Sequence, residues 1–250
     1  MKGYLVRLRE NGKLSLGPVP LPFFFRRHVE ASRAAKAPAR FVAMLGSGIT
    51  EGEMRSLITE AEPITSTIGG LMGKATFAAG RTKGDTISSD RGPILYALVR
   101  AMKPEKVVET GVASGSSSRY MLEAMRRNGR GHLYSIDLPD GTGIAEGKEV
   151  GWLVPETLRD LWTLRLGDAR QELPALLNEI GDIDLFFHDS LHTTDHMLFE
   201  YGCAYPRLKP RGILGSDDVY FNEAWERFTG PKDLRSVLVG GMGFTMKANK

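Results

Sequence analysis

The side chains best equipped for chemistry lie in the second half of the chain: Asp189 with His192 three residues on, and the adjacent pair Asp217 and Asp218. Each set follows a short apolar run that reads as a β-strand, residues 183 to 187 and 213 to 215. In an open parallel sheet the carboxyl ends of the strands form the rim where ligands bind. Three carboxylates converging there repel one another unless a cation sits between them. Hard divalent ions such as Mg²⁺ take oxygen ligands and leave positions open for substrate oxygens. The plainer alternative is that these are strand-end and helix-capping residues, and both readings stay open at this point. His188, His192 and His196 recur every fourth residue. Because His188 precedes the strand-end Asp189, they do not share one helix face, and no H-E-x-x-H pattern marks a transition-metal site.

A second constellation runs from Lys106 to Ser118, where a β-branched stretch ends in Glu109-Thr110 and a turn with Gly111 and Gly115 opens a helix from Ser116 to Arg127. In such a strand, turn and helix, glycine lets the backbone approach a ligand closely, and the free N–H groups of the first helical turn face the same crevice. A nucleoside-bearing cofactor is the natural guest. Gly111 and Gly115 form G-x-x-x-G, and Ala113 stands where a G-x-G-x-x-G motif has its second glycine, which disfavours the pyrophosphate of a dinucleotide. Asp137, 26 residues after Gly111, follows the next apolar run and is placed to accept hydrogen bonds from both ribose hydroxyls. A turn or capping Asp is the alternative.

The elements that must position these groups follow from periodicity. From residue 90 onward strands and helices alternate: a helix beginning at Pro93, strands at 106–110, 133–136, 163–166, 183–187 and 213–215, and helices at 116–127, 155–161, 170–180 and 193–208. Alternation of this kind demands an α/β fold with a mainly parallel sheet. A Gly-rich turn between 236–239 and 244–247 suits a closing antiparallel hairpin. Residues 139 to 153, rich in glycine and without periodicity, read as a mobile lid over the strand ends. Upstream, Asn11-Gly12 between two apolar runs signals a hairpin of 4–9 with 13–16. Pro18, Pro20 and Pro22 interrupt regular structure, and Phe23 to Phe25 form an apolar cluster suited to core packing or a subunit interface, with a substrate wall as the alternative. Helices are expected at 29–45 and 51–61, the second with a Thr50/Glu53 capping box, followed by a mobile connection over 66–86. The chain thus divides into an N-terminal hairpin and helical extension, 1–85, and a ligand-binding domain, 86–250.

Composition narrows the possibilities. A chain of 250 residues with 42% hydrophobic and 25% charged residues suits one sizeable core plus an extension. The net charge of +3 and the absence of any long basic run give no reason to expect a nucleic-acid partner. The single cysteine, Cys203, excludes an intramolecular disulfide. No apolar run approaches the length of a membrane span and no secretory signal opens the chain, so a cytoplasmic location is expected by default.

Together, Glu109-Thr110-Gly111-x-x-x-Gly115 with Ser117, then Asp137, Phe187-His188-Asp189 and Ser216-Asp217-Asp218, resemble the class I S-adenosylmethionine-dependent methyltransferases. Within them the sequence is similar to the metal-dependent O-methyltransferases: the glycine spacing to the catechol enzymes, the Asp189-x-x-His192 pairing to the macrolide-sugar enzymes. The likeness covers roughly residues 85 to 250. It implies a Rossmann-like sheet of seven strands with the last antiparallel, and a substrate site roofed by the N-terminal region and the 139–153 loop. It further implies that Glu109, Gly111 and Ser117 surround the methionine moiety, Asp137 binds the ribose, and Asp168 and Ala169 border the adenine. Asp189, Asp217 and Asp218 would hold Mg²⁺ or another divalent cation, and His192 would take the proton from a small hydroxylated acceptor such as a natural-product sugar or a vicinal diol. Two departures stand out, since catechol enzymes carry Lys at the position of His192 and macrolide-sugar enzymes carry Glu at that of Asp217. Copies of the chain could associate through the N-terminal region. The rivals are a nicotinamide-dependent oxidoreductase and a noncatalytic protein of the same fold.

Overall fold

The structure, a computed structural model, describes residues 5–10, 13–18, 37–46, 48–77, 91–138, 143–232 and 234–249. The expected phenylalanine cluster and the first part of the 29–45 helix lie outside them. Strands β1 (Leu5–Glu10) and β2 (Lys13–Pro18) pair antiparallel, as the Asn-Gly signal predicts. Among the described residues three helices follow, α1 (Ala37–Leu45), α2 (Glu51–Glu60) and α3 (Glu62–Lys74). The capping box of α2 is complete: Thr50 Oγ1 accepts from the Glu53 N–H at 3.2 Å, and Glu53 Oε2 accepts from the Thr50 N–H at 2.8 Å.

Helix α3 corrects the expectation of a mobile connection from residue 66. Ile64, Ile68 and Met72 recur every fourth residue and are buried, whereas Gly69, Gly70 and Gly73 lie on the exposed side. Burial of one apolar stripe outweighs the helix cost of about 1 kcal/mol per glycine.

Helix α4 (Gly92–Met102) leads into the regular part, with Pro93 in its first turn. Then come β3 (Lys106–Thr110), α5 (Ser116–Asn128), β4 (His132–Asp137), a 3-10 turn (Glu156–Leu161), β5 (Trp162–Leu166) and α6 (Ala169–Ile180). They are followed by β6 (Ile183–His188), α7 (Thr194–Arg207), β7 (Leu208–Ser216), α8 (Ala224–Thr229), β8 (Ser236–Val239) and β9 (Met242–Met246). The seven-stranded sheet has the order β5-β4-β3-β6-β7-β9-β8. Strands β3 to β7 run parallel, and β9 inserts antiparallel to both β7 and β8. The strand order reverses at β3, which places a topological switch point between β3 and β6, where open α/β sheets bind ligands.

Both faces of the sheet are covered. On one, Leu95, Leu98, Tyr120, Met121 and Leu122 form a core with Phe41, Met54, Ile64, Ile68 and Met72, so α1 to α3 are built into the same apolar cluster as α4 and α5. On the other, Val108, Ile136, Phe186 and Leu214 meet Leu173, Leu177, Tyr201 and Trp225.

Candidate active site

Backbone hydrogen bonds beyond the strands draw their carboxyl ends into one continuous rim. The Gly111 N–H donates to Ile136 O at 2.9 Å, Gly167 to Asp137 O at 2.8 Å, Asp189 to Thr110 O at 2.8 Å and Asp217 to His188 O at 2.8 Å. Asp137, Gly111, Asp189 and Asp217 therefore stand in a row across four strand ends. The close spacing explains Gly111, whose φ is +84° and whose Cβ, had it one, would lie 2.0 Å from the carbonyl oxygen of Asp189.

Near β4 the groups suit a nucleoside. Asp137 is half-buried and accepts from the N–H of Ala113 through Oδ2 and of Leu138 through Oδ1, both at 2.9 Å. A carboxylate at this strand end is a group able to accept from ribose hydroxyls. Asp168 is exposed at the end of β5 and caps α6 by accepting from the Arg170 N–H at 2.8 Å, with Ala169 buried behind it. Capping and lining a pocket are compatible, since only one side of Asp168 is used.

Glu109 and Ser117 stand differently from the sequence expectation that they face the methionine moiety. Glu109 has no exposed surface, and its carboxylate accepts from Ser117 at 2.5 Å, Ser118 at 2.6 Å and Ser135 at 2.8 Å. Burial, opposed by these three hydroxyls, raises Glu109 to about 7. With its proton committed to Glu109, the Ser117 hydroxyl has none to offer a carboxylate. The group braces the turn and the start of α5 from beneath. Ser116 Oγ, one residue earlier, is buried without a partner.

The loop expected to be a mobile lid is, over residues 143 to 153, a wall hydrogen-bonded to the turn after β3. Gly151 and Leu153 donate their N–H groups to Ala113 O at 2.8 Å and Ser114 O at 3.0 Å. Ser114 Oγ donates to Gly143 O at 2.7 Å and accepts from Trp152 Nε1 at 3.0 Å. Ile144, Ala145 and Leu153 are buried. Gly151 makes this contact at backbone level, since a Cβ on Gly115 in the turn after β3 would lie 2.8 Å from Gly151 Cα. Residues 139–142 lie outside the described residues.

On the other side of the switch point the structure brings Asp189, His192, Asp217 and Asp218 together, as the sequence implies. His192 Nε2 lies 3.9 Å from Asp189 Oδ1, with about a fifth of each side chain exposed, 20% and 22%. His192 Nε2 has no hydrogen-bond partner. Its ring packs edge-on to His188 at 5.1 Å and against Phe221 at 5.7 Å. Burial first, then His188, pulls His192 down to about 4, so the ring is neutral at physiological pH. Asp218 sits in the left-handed region with φ 47°.

Arg91, which sequence reasoning missed, enters this cluster from the residue before α4. Its Nη1 donates to both carboxylate oxygens of Asp217, at 2.5 and 2.6 Å, and to Asp218 Oδ1 at 3.1 Å. Burial alone would lower the Arg91 guanidinium, but Asp217 and Asp218 raise it overall, so it stays charged. Burial, then the charge of Asp218, raises Asp217 to about 6 despite Arg91. Asp189 is raised well above the ordinary carboxylate range by burial and by Asp217, Asp218 and Glu109. One guanidinium thus bonds two of the three acids, Asp217 and Asp218.

This arrangement corrects the expected divalent-cation site on Asp189, Asp217 and Asp218. The oxygens of Asp217 are taken by a guanidinium, and among the described residues no group of three or more His, Cys, Asp or Glu is disposed to hold a metal ion. The residues as they stand do not fit Mg²⁺. A signal for Arg91 was present in the sequence only as a basic residue just ahead of the proline that starts α4.

Behind the rim, fully buried Glu200 accepts from Thr110 Oγ1 at 2.5 Å and Ser190 Oγ at 2.8 Å, and binds His188 Nδ1 at 2.6 Å and His196 Nε2 at 2.8 Å. Burial opposes ionisation, but His188 and His196 hold Glu200 below the usual carboxylate range. An ionised carboxylate only accepts, so His188 Nδ1 and His196 Nε2 carry the protons. The histidines spaced by four residues therefore divide between two tasks, His188 and His196 on Glu200 and His192 on the rim.

Residues 108–219 match the family described as a methyltransferase domain. No curated protein matches the chain. Among solved structures, the Podospora anserina methyltransferase PaMTH1 bound to S-adenosylhomocysteine is similar with a TM-score of 0.53 at 16% identity, covering 94% of this chain and 99% of that one. The O-methyltransferase TomG of Streptomyces achromogenes, involved in tomaymycin synthesis and solved with S-adenosylmethionine, gives 0.54 at 14% identity, with 88% and 99% covered. A Bacillus cereus O-methyltransferase with S-adenosylhomocysteine gives 0.52 at 14% identity, with 88% and 98% covered. At such identities the likeness is one of fold. With its inserted antiparallel last strand, the sheet has the fold of these solved methyltransferases, and residues 108–219 within it are similar to a methyltransferase-domain family.

Proposed function

We propose that the chain transfers the methyl group of S-adenosylmethionine to a hydroxyl oxygen of a small molecule, with His192 accepting the proton. The observation that carries this reading is the buried, unpartnered Nε2 of His192, held neutral beneath the rim beside the nucleoside-binding half. The acceptor oxygen attacks the methyl carbon opposite sulfur, the carbon–sulfur bond breaks, and the sulfonium becomes a neutral thioether. A neutral hydroxyl is a poor nucleophile, so the proton must leave as the new bond forms, and His192 Nε2 has the lone pair to take it. Much of the rate then comes from placing oxygen and methyl carbon about 3 Å apart in line.

In this reading the backbone at Gly111 and the first turn of α5 receive the methionine moiety, Asp137 takes the ribose, and Asp168 with Ala169 borders the adenine. Glu109 and Ser117 keep the turn in shape. Residues 1–85 cover the acceptor or join copies of the chain. S-adenosylmethionine and S-adenosylhomocysteine bound to TomG and PaMTH1 support the choice of cofactor. Among the described residues no helix is long and apolar enough to cross a membrane.

Calorimetric titration with S-adenosylhomocysteine tests the cofactor half. Asp137→Ala is expected to weaken binding by about 1.5 to 3 kcal/mol, the range for hydrogen bonds to a charged group. An unchanged dissociation constant would remove Asp137 from the ribose site. Binding of NAD in preference would replace methyl transfer with hydride transfer.

A further inference from the structure

Three separate parts of the chain are shaped around the guanidinium of Arg91. It stands before α4, its side chain only 7% exposed, and reaches the end of β7 to hold both oxygens of Asp217 and one of Asp218. The β8–β9 turn closes the far side: Gly241 has φ +91°, and a Cβ there would lie 3.1 Å from Arg91 Nη2. The Val219 N–H, just past the acid pair, donates to Gly241 O at 3.0 Å and ties that turn to the end of β7.

We propose that Arg91 stands in place of the divalent cation of the metal-dependent O-methyltransferases that the sequence resembles, so that this chain neutralises its acid cluster with a guanidinium and holds no metal there. A fixed planar cation satisfies the carboxylate lone pairs that a metal would need, and its charge repels a second cation brought among the same oxygens. The substitution alters the chemistry open to the site. A metal offers open positions to substrate oxygens, whereas a guanidinium that is almost wholly buried offers none. Arg91 is accordingly a positioning residue that sets the charge and shape of the β7 end. Resting on the methyl-transfer reading, this leaves proton removal to His192 and frees the acceptor from needing two adjacent oxygens to chelate an ion.

The test is an electron paramagnetic resonance titration of the full chain with Mn²⁺, which reads occupancy without any acceptor. Wild type is expected to show no saturable site that Asp217→Asn abolishes. Arg91→Ala strips the cluster of its counter-charge and should gain a site roughly tenfold or more tighter than anything in wild type, as a set of buried carboxylates attracts a hard cation. Adding Asp217→Asn to Arg91→Ala should remove it again. A wild-type site sensitive to Asp217→Asn overturns the proposal, and so does a folded Arg91→Ala that gains no Mn²⁺. Should Arg91→Ala fail to fold by circular dichroism, the wild-type titration with and without Asp217→Asn decides alone. Calorimetry with S-adenosylhomocysteine on the same wild-type sample separates the two ideas: loss of that binding removes the methyl-transfer reading and leaves the Mn²⁺ result standing.

Discussion

Replacing His192 with alanine is expected to lower kcat about 10²-fold or more, the usual loss when a general base is removed. Binding of S-adenosylhomocysteine should stay near the wild-type value, because His192 lies at the ends of β6 and β7, away from Asp137. Single-turnover rates together with calorimetry separate the two effects, and a variant that keeps most of its rate would reduce His192 to a loop residue. The pH profile gives an independent reading. A free imidazole titrates near pH 6.5, but burial and His188 bring His192 to about 4. The base form therefore persists through neutral pH, and activity should fall only as the pH drops toward 4. Stability carries the matching sign. The unfolded chain takes up a proton near 6.5 that the folded ring refuses, so folding weakens as pH falls from about 6.5 toward 4. Activity that halves near pH 6.5 with the fold intact would contradict the assignment.

The second large effect is expected behind the site. Glu200→Gln replaces an acceptor of four hydrogen bonds by a group with one acceptor oxygen and an amide that donates. Its NH₂ then confronts a histidine N–H or hydroxyl already committed to donating. Breaking a buried charged network from one side typically costs about 3 to 5 kcal/mol, and urea unfolding should register a loss of that size. The pH dependence should change with it. Glu200 is held below its unfolded value, so in wild type its contribution is full above about pH 4 to 5 and drains as the pH falls through the lower folded value. In the glutamine variant that acid-side decline should be shallower. A variant as stable as wild type would mean that the two histidines and two hydroxyls find other partners.

What the sequence reveals depends on whether the signal is local. The strand, turn and helix from Lys106 to Asn128, the acidic residue ending β4, and the convergence of Asp189, His192, Asp217 and Asp218 all follow from β/α alternation, since a parallel sheet puts every strand's carboxyl end on one rim. The expected boundaries of α5 and β4 fall within a residue or two of those observed. Helix α3 was hidden because Gly69, Gly70 and Gly73 mask a stripe whose value lies in what packs on it. The wall at 143–153 was hidden for a related reason, as its order depends on hydrogen bonds to Ala113 and Ser114 some thirty to forty positions earlier. Arg91 and Glu200 carry no spacing that announces them. Glu200 follows His196 by one helical turn, a hint at a pair, but Arg91 meets its partners only through the tertiary fold. An acid cluster is easily read as a metal site when its counter-ion is remote in sequence.

That remoteness bears on how the protein is made. Arg91 and Asp217 are 126 positions apart, and β9, which covers one side of β7, follows it in sequence after α8 and β8. Until β9 is in place, one side of β7 is a sheet edge open to strands of other chains. Insertion of β9 between β7 and β8 shuts that edge and brings the Gly241 turn against Arg91 in the same event. The rim is thereby completed together with the sheet: a chain interrupted before residue 242 lacks both the cover on β7 and the turn behind its guanidinium.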